Sequence, residues 1–169
     1  MNTEQLRALQ APLKDQYREQ PQAARITLQA EGRLGDGISC SVQTGQALVR
    51  AGLHPATGGD GLAACSGDML LQALVACAGV TLNAVATALG IVLRDAQVRA
   101  EGDLDFRGTL GVAKDAPVGF EAIRLRFELD TDAPPEQLDT LVRLTERYCV
   151  VYQTLARTPA LSVTRQARR

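Results

Sequence analysis

The chain has 169 residues and a formal net charge of -1, with 46% hydrophobic, 22% charged and only 4% aromatic residues and no tryptophan. That is the balance of a folded globular chain rather than a disordered one. With so little excess positive charge and so few rings, phosphate neutralisation and base stacking both lack their usual material, which excludes nucleic acid as an expected partner.

The length fits one domain spanning residues 1–169, with residues 1–20 as a helical extension at its N-terminus. The opening stretch MNTEQLRALQAPLKDQYREQ is polar and amphipathic, without the apolar run of a secretory leader or a membrane anchor. Residues 3–19 read as a helix with Leu6, Leu9, Leu13 and Tyr17 on one stripe, bent or interrupted at Pro12. Ile26 and Leu28 then alternate with polar residues, Gly35-Asp36-Gly37 has turn chemistry, and Ile38, Cys40 and Val42 resume the alternation. A hairpin with Arg33 near its tip is expected there. The segment GLHPATGGDG (52–61) reads as a flexible loop, and its glycines lack the order of a nucleotide-binding turn.

From Gly67 to Leu89 no face is consistently polar, and Ala fills most of the positions that Leu and Val do not. Such a helix belongs in a core; Gln72, Thr81, Asn83 and Thr87 make it a poor membrane span. Ser66 is the expected N-cap, Asp68 suits the first turn and Gly90 the last. A second hairpin follows. Val98, Ala100, Leu104 and Phe106 face one way, with charged residues including Asp105 and Arg107 on the wet side. In the partner strand Ile123, Leu125, Phe127 and Leu129 are the dry set. After Pro134-Pro135, the positions Leu138, Leu141, Thr145, Tyr148, Tyr152 and Leu155 step as one continuous helix, and Leu161 and Val163 suggest a last short strand. The class is α+β: antiparallel sheet wrapped around a long buried helix. One small sheet cannot cover that helix on every side, so a second subunit is expected to complete its burial.

The four cysteines, Cys40, Cys65, Cys77 and Cys149, include no C-x-x-C pair, and His54 is the only histidine. No metal or other cofactor is expected, and the thiols should be reduced in a cytoplasmic setting. Cys65 and Cys77 are twelve residues apart, roughly 18 Å along an intact helix, which forbids a bond between them. Cys77 and Cys149 can meet only if their helices pack side by side, and a bond would need their Cα atoms within roughly 7 Å. Packing alone accounts for both in the plainest reading. A reactive Cys77 needs a nearby cation, for which Arg33 and Arg50 are the candidates.

The segment CSGDMLLQALVACAGVTLNAVATALGI, followed after two alternating strands by QLDTLVRLTERYCVVYQTL, resembles the OsmC/Ohr family (osmotically inducible and organic hydroperoxide resistance proteins) across roughly residues 24–164. The resemblance implies an intertwined homodimer and thiol-dependent reduction of organic hydroperoxides. Cys77 matches the peroxidatic position and Cys149 the resolving one. Arg33 is the best match to the activating arginine. The glutamate that orients this arginine is replaced by Gly67, with Asp68 next door, and the Cys-Pro pair common in the family reads Cys149-Val150. The implied reductant is an external dithiol, which in the family can be a lipoylated protein. The rival reading is a stress-associated dimer of the same fold that binds a small apolar molecule without turnover. Neither reading involves nucleic acid or a membrane.

Overall fold

The computed structural model describes residues 3–35, 39–42, 51–62 and 64–167. Helix α1 (Thr3–Glu19) runs unbroken through Pro12, so of the bend or interruption expected there the interruption does not occur. Proline removes a single N–H from the helical ladder. The helix is also held from outside, because Tyr17 is buried in the core and its hydroxyl donates to the Ala56 carbonyl at 2.6 Å.

Strands β1 (Arg25–Gly35) and β2 (Ser39–Val42) form the first hairpin, as the alternation predicts. Its turn, residues 36–38, and residues 43–50 lie outside the described residues. The segment expected to be a flexible loop is instead tied down. Strand β3 (Ala51–Gly52) pairs in parallel with β4 (Ala64–Cys65), and Pro55–Thr57 make one 3-10 turn between them. His54 caps that turn, its Nδ1 accepting from the Ala56 N–H at 3.0 Å, and its ring stacks on Phe106 with centroids 5.1 Å apart.

Helix α2 (Ser66–Leu89) starts one residue earlier than expected, so Cys65 rather than Ser66 occupies the cap position. Gly90, with φ of 67°, closes the other end. Leu71, Leu74, Val75, Ala78, Leu82 and Ala86 are all buried, the 3.6-residue spacing of one face laid against the sheet. Leu70 and Val80, on the other side, remain 37% and 38% exposed. By length and composition α2 is apolar enough to cross a membrane, yet only 39% of its most apolar stretch is buried within this chain.

Strands β5 (Asp95–Asp105) and β6 (Phe120–Asp130) complete an antiparallel sheet of order β2-β1-β5-β6. Ala96, Val98, Ala100 and Leu104 of β5 are the dry set, as the alternation predicts. On β6 the apolar residues Ile123, Leu125, Phe127 and Leu129 are only half-buried, because β6 is an edge strand. Gly102 leaves room for the Phe120 ring, whose Cε1 would lie 2.5 Å from any added Cβ. Asp105 departs from the wet face assigned to it. It is buried, and it caps the single-turn helix α3 (Phe106–Thr109) by accepting from the Arg107 N–H at 3.0 Å. Arg107 also returns its guanidinium to the same carboxylate at 2.5 Å.

The C-terminal helix is two helices, α4 (Pro135–Tyr148) and α5 (Val150–Ala156), broken at Cys149. Leu141 and Thr145 of the expected stripe are buried, whereas Tyr148 is 57% exposed. The last short strand is absent among the described residues: 157–167 are irregular, with Leu161 and Val163 exposed. An extended segment becomes a strand only on an edge that pairs with it, and none of the described edges does so.

Replacing Asp105 by Ala should lower the unfolding free energy in urea by about 1–3 kcal/mol at pH 7, the cost of a lost cap and an unpaired buried donor. The Arg107 hydrogen bonds hold the Asp105 carboxyl below the usual carboxylate range despite its burial. Its stabilisation is therefore complete above the unfolded-state pKa and is lost as pH falls through the depressed folded value. The gap between wild type and Asp105→Ala should narrow in acid.

Candidate active site

Cys77 sits in the fourth turn of α2, and Cys149 at the break between α4 and α5, both of which pack against α2. The packing brings the two thiols together closely enough for each to shift the other's pKa. Both are free thiols; Cys149 is fully buried and Cys77 partly exposed.

Val150 and Val151, which follow Cys149, are already helical and open α5, so the break is confined to one residue. Cys149 leaves the helical region, at φ -71° and ψ 108°, so α5 begins with its own unpaired N–H groups. Sulfur fills those vacancies. Cys149 Sγ accepts from the Tyr152 N–H at 3.4 Å, as an N-cap side chain does. The peptide N–H groups of Val151 and Val150 and the Thr81 hydroxyl, one turn along α2, act as donors that lower the Cys77 pKa.

The two sulfurs are driven apart in acidity. Burial pushes the Cys77 thiol up, but the bonds from Val151, Cys149, Val150 and Thr81 outweigh it, and the net shift is below the ordinary value. Cys149 is pushed up to about 11, first by burial and then by its position beside Cys77, with the Tyr152 N–H only partly offsetting these. One sulfur is thus prepared to be a nucleophile and the other to stay protonated.

Of the remaining candidates, Asp68 alone has a described side chain. Asp68 is nine residues before Cys77, about 14 Å along the axis of α2, and burial raises its pKa while His54 opposes that rise. Arg33 stands on β1 opposite Ser41 of β2 and Gln97 of β5, and its side chain is not among those described. Arg50 falls outside the described residues, and so does the Cys40 side chain. Thr81 is a contributor that the cysteine pattern did not single out, although its i+4 spacing from Cys77 places it on the same face. The donors on Val150 and Val151 belong to the backbone and leave no mark in residue type.

A mostly apolar groove of about 330 Å³ is lined by Leu74, Phe120, Ile123, Leu125, Tyr152 and Leu155, with Glu121 also on its wall and neither thiol among its lining residues. Leu74 lies one turn before Cys77, and Tyr152 one turn after Cys149.

Alkylation by iodoacetamide should label Cys77 well below the pH at which Cys149 reacts. Thr81→Val should slow labelling of Cys77 at neutral pH about fivefold, the equivalent of one hydrogen bond of ~1 kcal/mol. Stopped-flow alkylation with peptide mapping across pH reads both effects.

The fold has solved counterparts. One is an OsmC-like hydroperoxide resistance protein from Jannaschia sp. CCS1, with a TM-score of 0.60 and 17% identity, covering 82% of this chain and 91% of that one. Another is an OsmC-like protein from Mycoplasma pneumoniae, with a TM-score of 0.56 and 17% identity, covering 79% of this chain and 86% of that one. No curated protein sequence matches the chain. The model of the OsmC family, described as OsmC-like protein, matches residues 58–164, which include α2, both hairpin strands β5 and β6, and the helix pair that flanks Cys149. The chain belongs to the OsmC-like protein family.

Proposed function

We propose that the protein is a thiol-dependent peroxidase that reduces organic hydroperoxides through Cys77 and Cys149. The observation that carries this reading is the contact between two free thiols whose acidities are shifted in opposite directions. The Cys77 thiolate attacks the distal peroxide oxygen, the O–O bond breaks, and the departing alkoxide takes a proton to leave as an alcohol. Cys77 is then a sulfenic acid. The Cys149 thiol attacks that sulfur, water leaves and a disulfide forms, which protects Cys77 from further oxidation. An external dithiol, a lipoylated protein among the candidates, restores both thiols in a reducing cytoplasm. No other cofactor enters this cycle.

The groove beside Leu74 and Tyr152 supports an apolar substrate rather than hydrogen peroxide. In this reading Arg33 adds positive charge to that of the peptide donors, with Asp68 as the acid that orients it. The reading also includes a homodimer, supported by the stripe of Leu70, Ala73, Cys77 and Val80 that one chain leaves incompletely covered. A second copy over that stripe would finish the burial of α2 and exclude water from the thiols.

The alternative is a dimer of the same fold that holds a small apolar molecule without turnover. Gly67, in place of the arginine-orienting glutamate, favours it, as does the groove itself.

Cys77→Ser should abolish consumption of cumene hydroperoxide. Cys149→Ser should complete one turnover and then accumulate sulfinic acid at Cys77. After one equivalent of peroxide, peptide mapping of the wild type should give a linked Cys77–Cys149 peptide, and unmodified thiols would leave only the binding reading. Arg33→Ala should raise the pH at which Cys77 is alkylated; an unchanged profile removes Arg33 as an activator. In sedimentation equilibrium the wild type should be a dimer and Val80→Glu a monomer, because a buried unpaired carboxylate opposes association.

A further inference from the structure

The disulfide of the proposed cycle poses an access problem. An external thiolate can attack either sulfur, and the faster route expels the more acidic thiol as the leaving group. That leaving group is Cys77, so the favoured point of attack is Cys149 Sγ. Yet Cys149 is fully buried, and α5 begins at the very next residue.

The helix α5 is built to give way. It has seven residues, none fully buried, and so short a helix is marginal without outside support, which here comes from Val151 and Tyr152 packed against the core and from the bonds at its N-terminus. Its first-turn donors serve the two sulfurs: the Tyr152 N–H bonds Cys149 Sγ at 3.4 Å, the Val150 N–H lowers the pKa of Cys77, and the Val151 N–H lowers the pKa of both. Beyond these, the Gln153 side chain holds α5 to α4 by donating to the Glu146 carbonyl at 2.8 Å. Forming the S–S bond removes the negative charge on Cys77 and leaves both sulfurs poor acceptors. Oxidation therefore weakens the bonds that anchor the start of α5.

We propose that α5 is a redox-controlled gate, closed over Cys149 in the dithiol form and loosened in the disulfide form, so that an external dithiol attacks Cys149 rather than Cys77. The inference rests on the dithiol reading of the site. One thiolate of the reductant bonds to Cys149 Sγ, the Cys77–Cys149 bond breaks, and its electron pair stays on Cys77. The second thiol of the reductant, deprotonated, then attacks its own partner sulfur in the mixed disulfide and releases Cys149, which takes a proton. The reductant leaves as a cyclic disulfide, oxidised by two electrons, with both cysteines reduced.

The same movement would reshape the groove, since Tyr152, Leu155 and Ala156 of α5 form one of its walls. Product left in the groove would then be released as the gate loosens.

The disulfide can be prepared in the full-length chain with diamide, so the test needs no peroxidase activity. Amide hydrogen exchange of peptides covering 150–156 should be at least about tenfold faster in the disulfide form than in the dithiol form, with α2 peptides unchanged. A brief exposure of the disulfide form to 2-mercaptoethanol, quenched in acid and mapped, should place the adduct on Cys149 and a free thiol on Cys77. Equal exchange in the two forms, an adduct on Cys77, or no linked peptide with diamide would each overturn the gate. Failure to consume hydroperoxide with these results intact would remove the peroxidase reading and leave the gate standing.

Discussion

Sulfur atoms accept the hydrogen-bond donors that a broken helix would otherwise leave unpaired, and most of the site's chemistry follows from this. At Cys149 the chain leaves the helical region for a single residue and re-enters it. The new helix starts with exposed N–H dipoles aimed at two thiols held in place by α2 and α4. A buried polar donor without a partner costs free energy, so the arrangement ties the geometry of the thiols to the stability of the fold. Disturbing either sulfur disturbs α5.

The same donors answer the question of how a thiol in greasy surroundings becomes acidic. Apolar walls favour the neutral thiol, and a distant helix end gives no help ten residues into α2. Peptide dipoles are a different source of positive potential from a guanidinium. They are fixed by the backbone, carry no desolvation penalty of a full charge, and do not depend on a side chain's rotamer. They also serve Cys77 and Cys149 unequally, and the two thiols are shifted in opposite directions.

Much of the architecture was legible in residue patterns, for physical reasons that differ from element to element. Alternation has a period of two only in strands, so Val98, Ala100 and Leu104 marked the dry face of β5 and Leu125, Phe127 and Leu129 that of β6. The unrelieved apolar run of α2 marked a helix needing cover on more than one side. Patterns failed where tertiary partners overrode local preference. Pro12 could stay inside α1 because Tyr17 is anchored in the core, and Asp105 could be buried because Arg107 comes with it. The one-residue break at Cys149 was hidden because Leu141, Thr145, Tyr148 and Tyr152 keep a helical rhythm across it. Of the site, Cys77 and Cys149 were legible as residue types, whereas the N–H groups that tune them were not, since every residue but proline carries one.

The Tyr17 hydroxyl bonded to the Ala56 carbonyl has a consequence for how the protein is handled. It rivets α1, which precedes the matched family region, onto the turn carrying His54, and His54 in turn stacks on Phe106 at the end of β5. Trimming the chain to its family boundaries would therefore remove α1, the carbonyl it is bonded to and His54 together, and leave the Phe106 ring without its stacking partner. An affinity handle fused ahead of residue 1 would pull on a load-carrying brace rather than on a loose end.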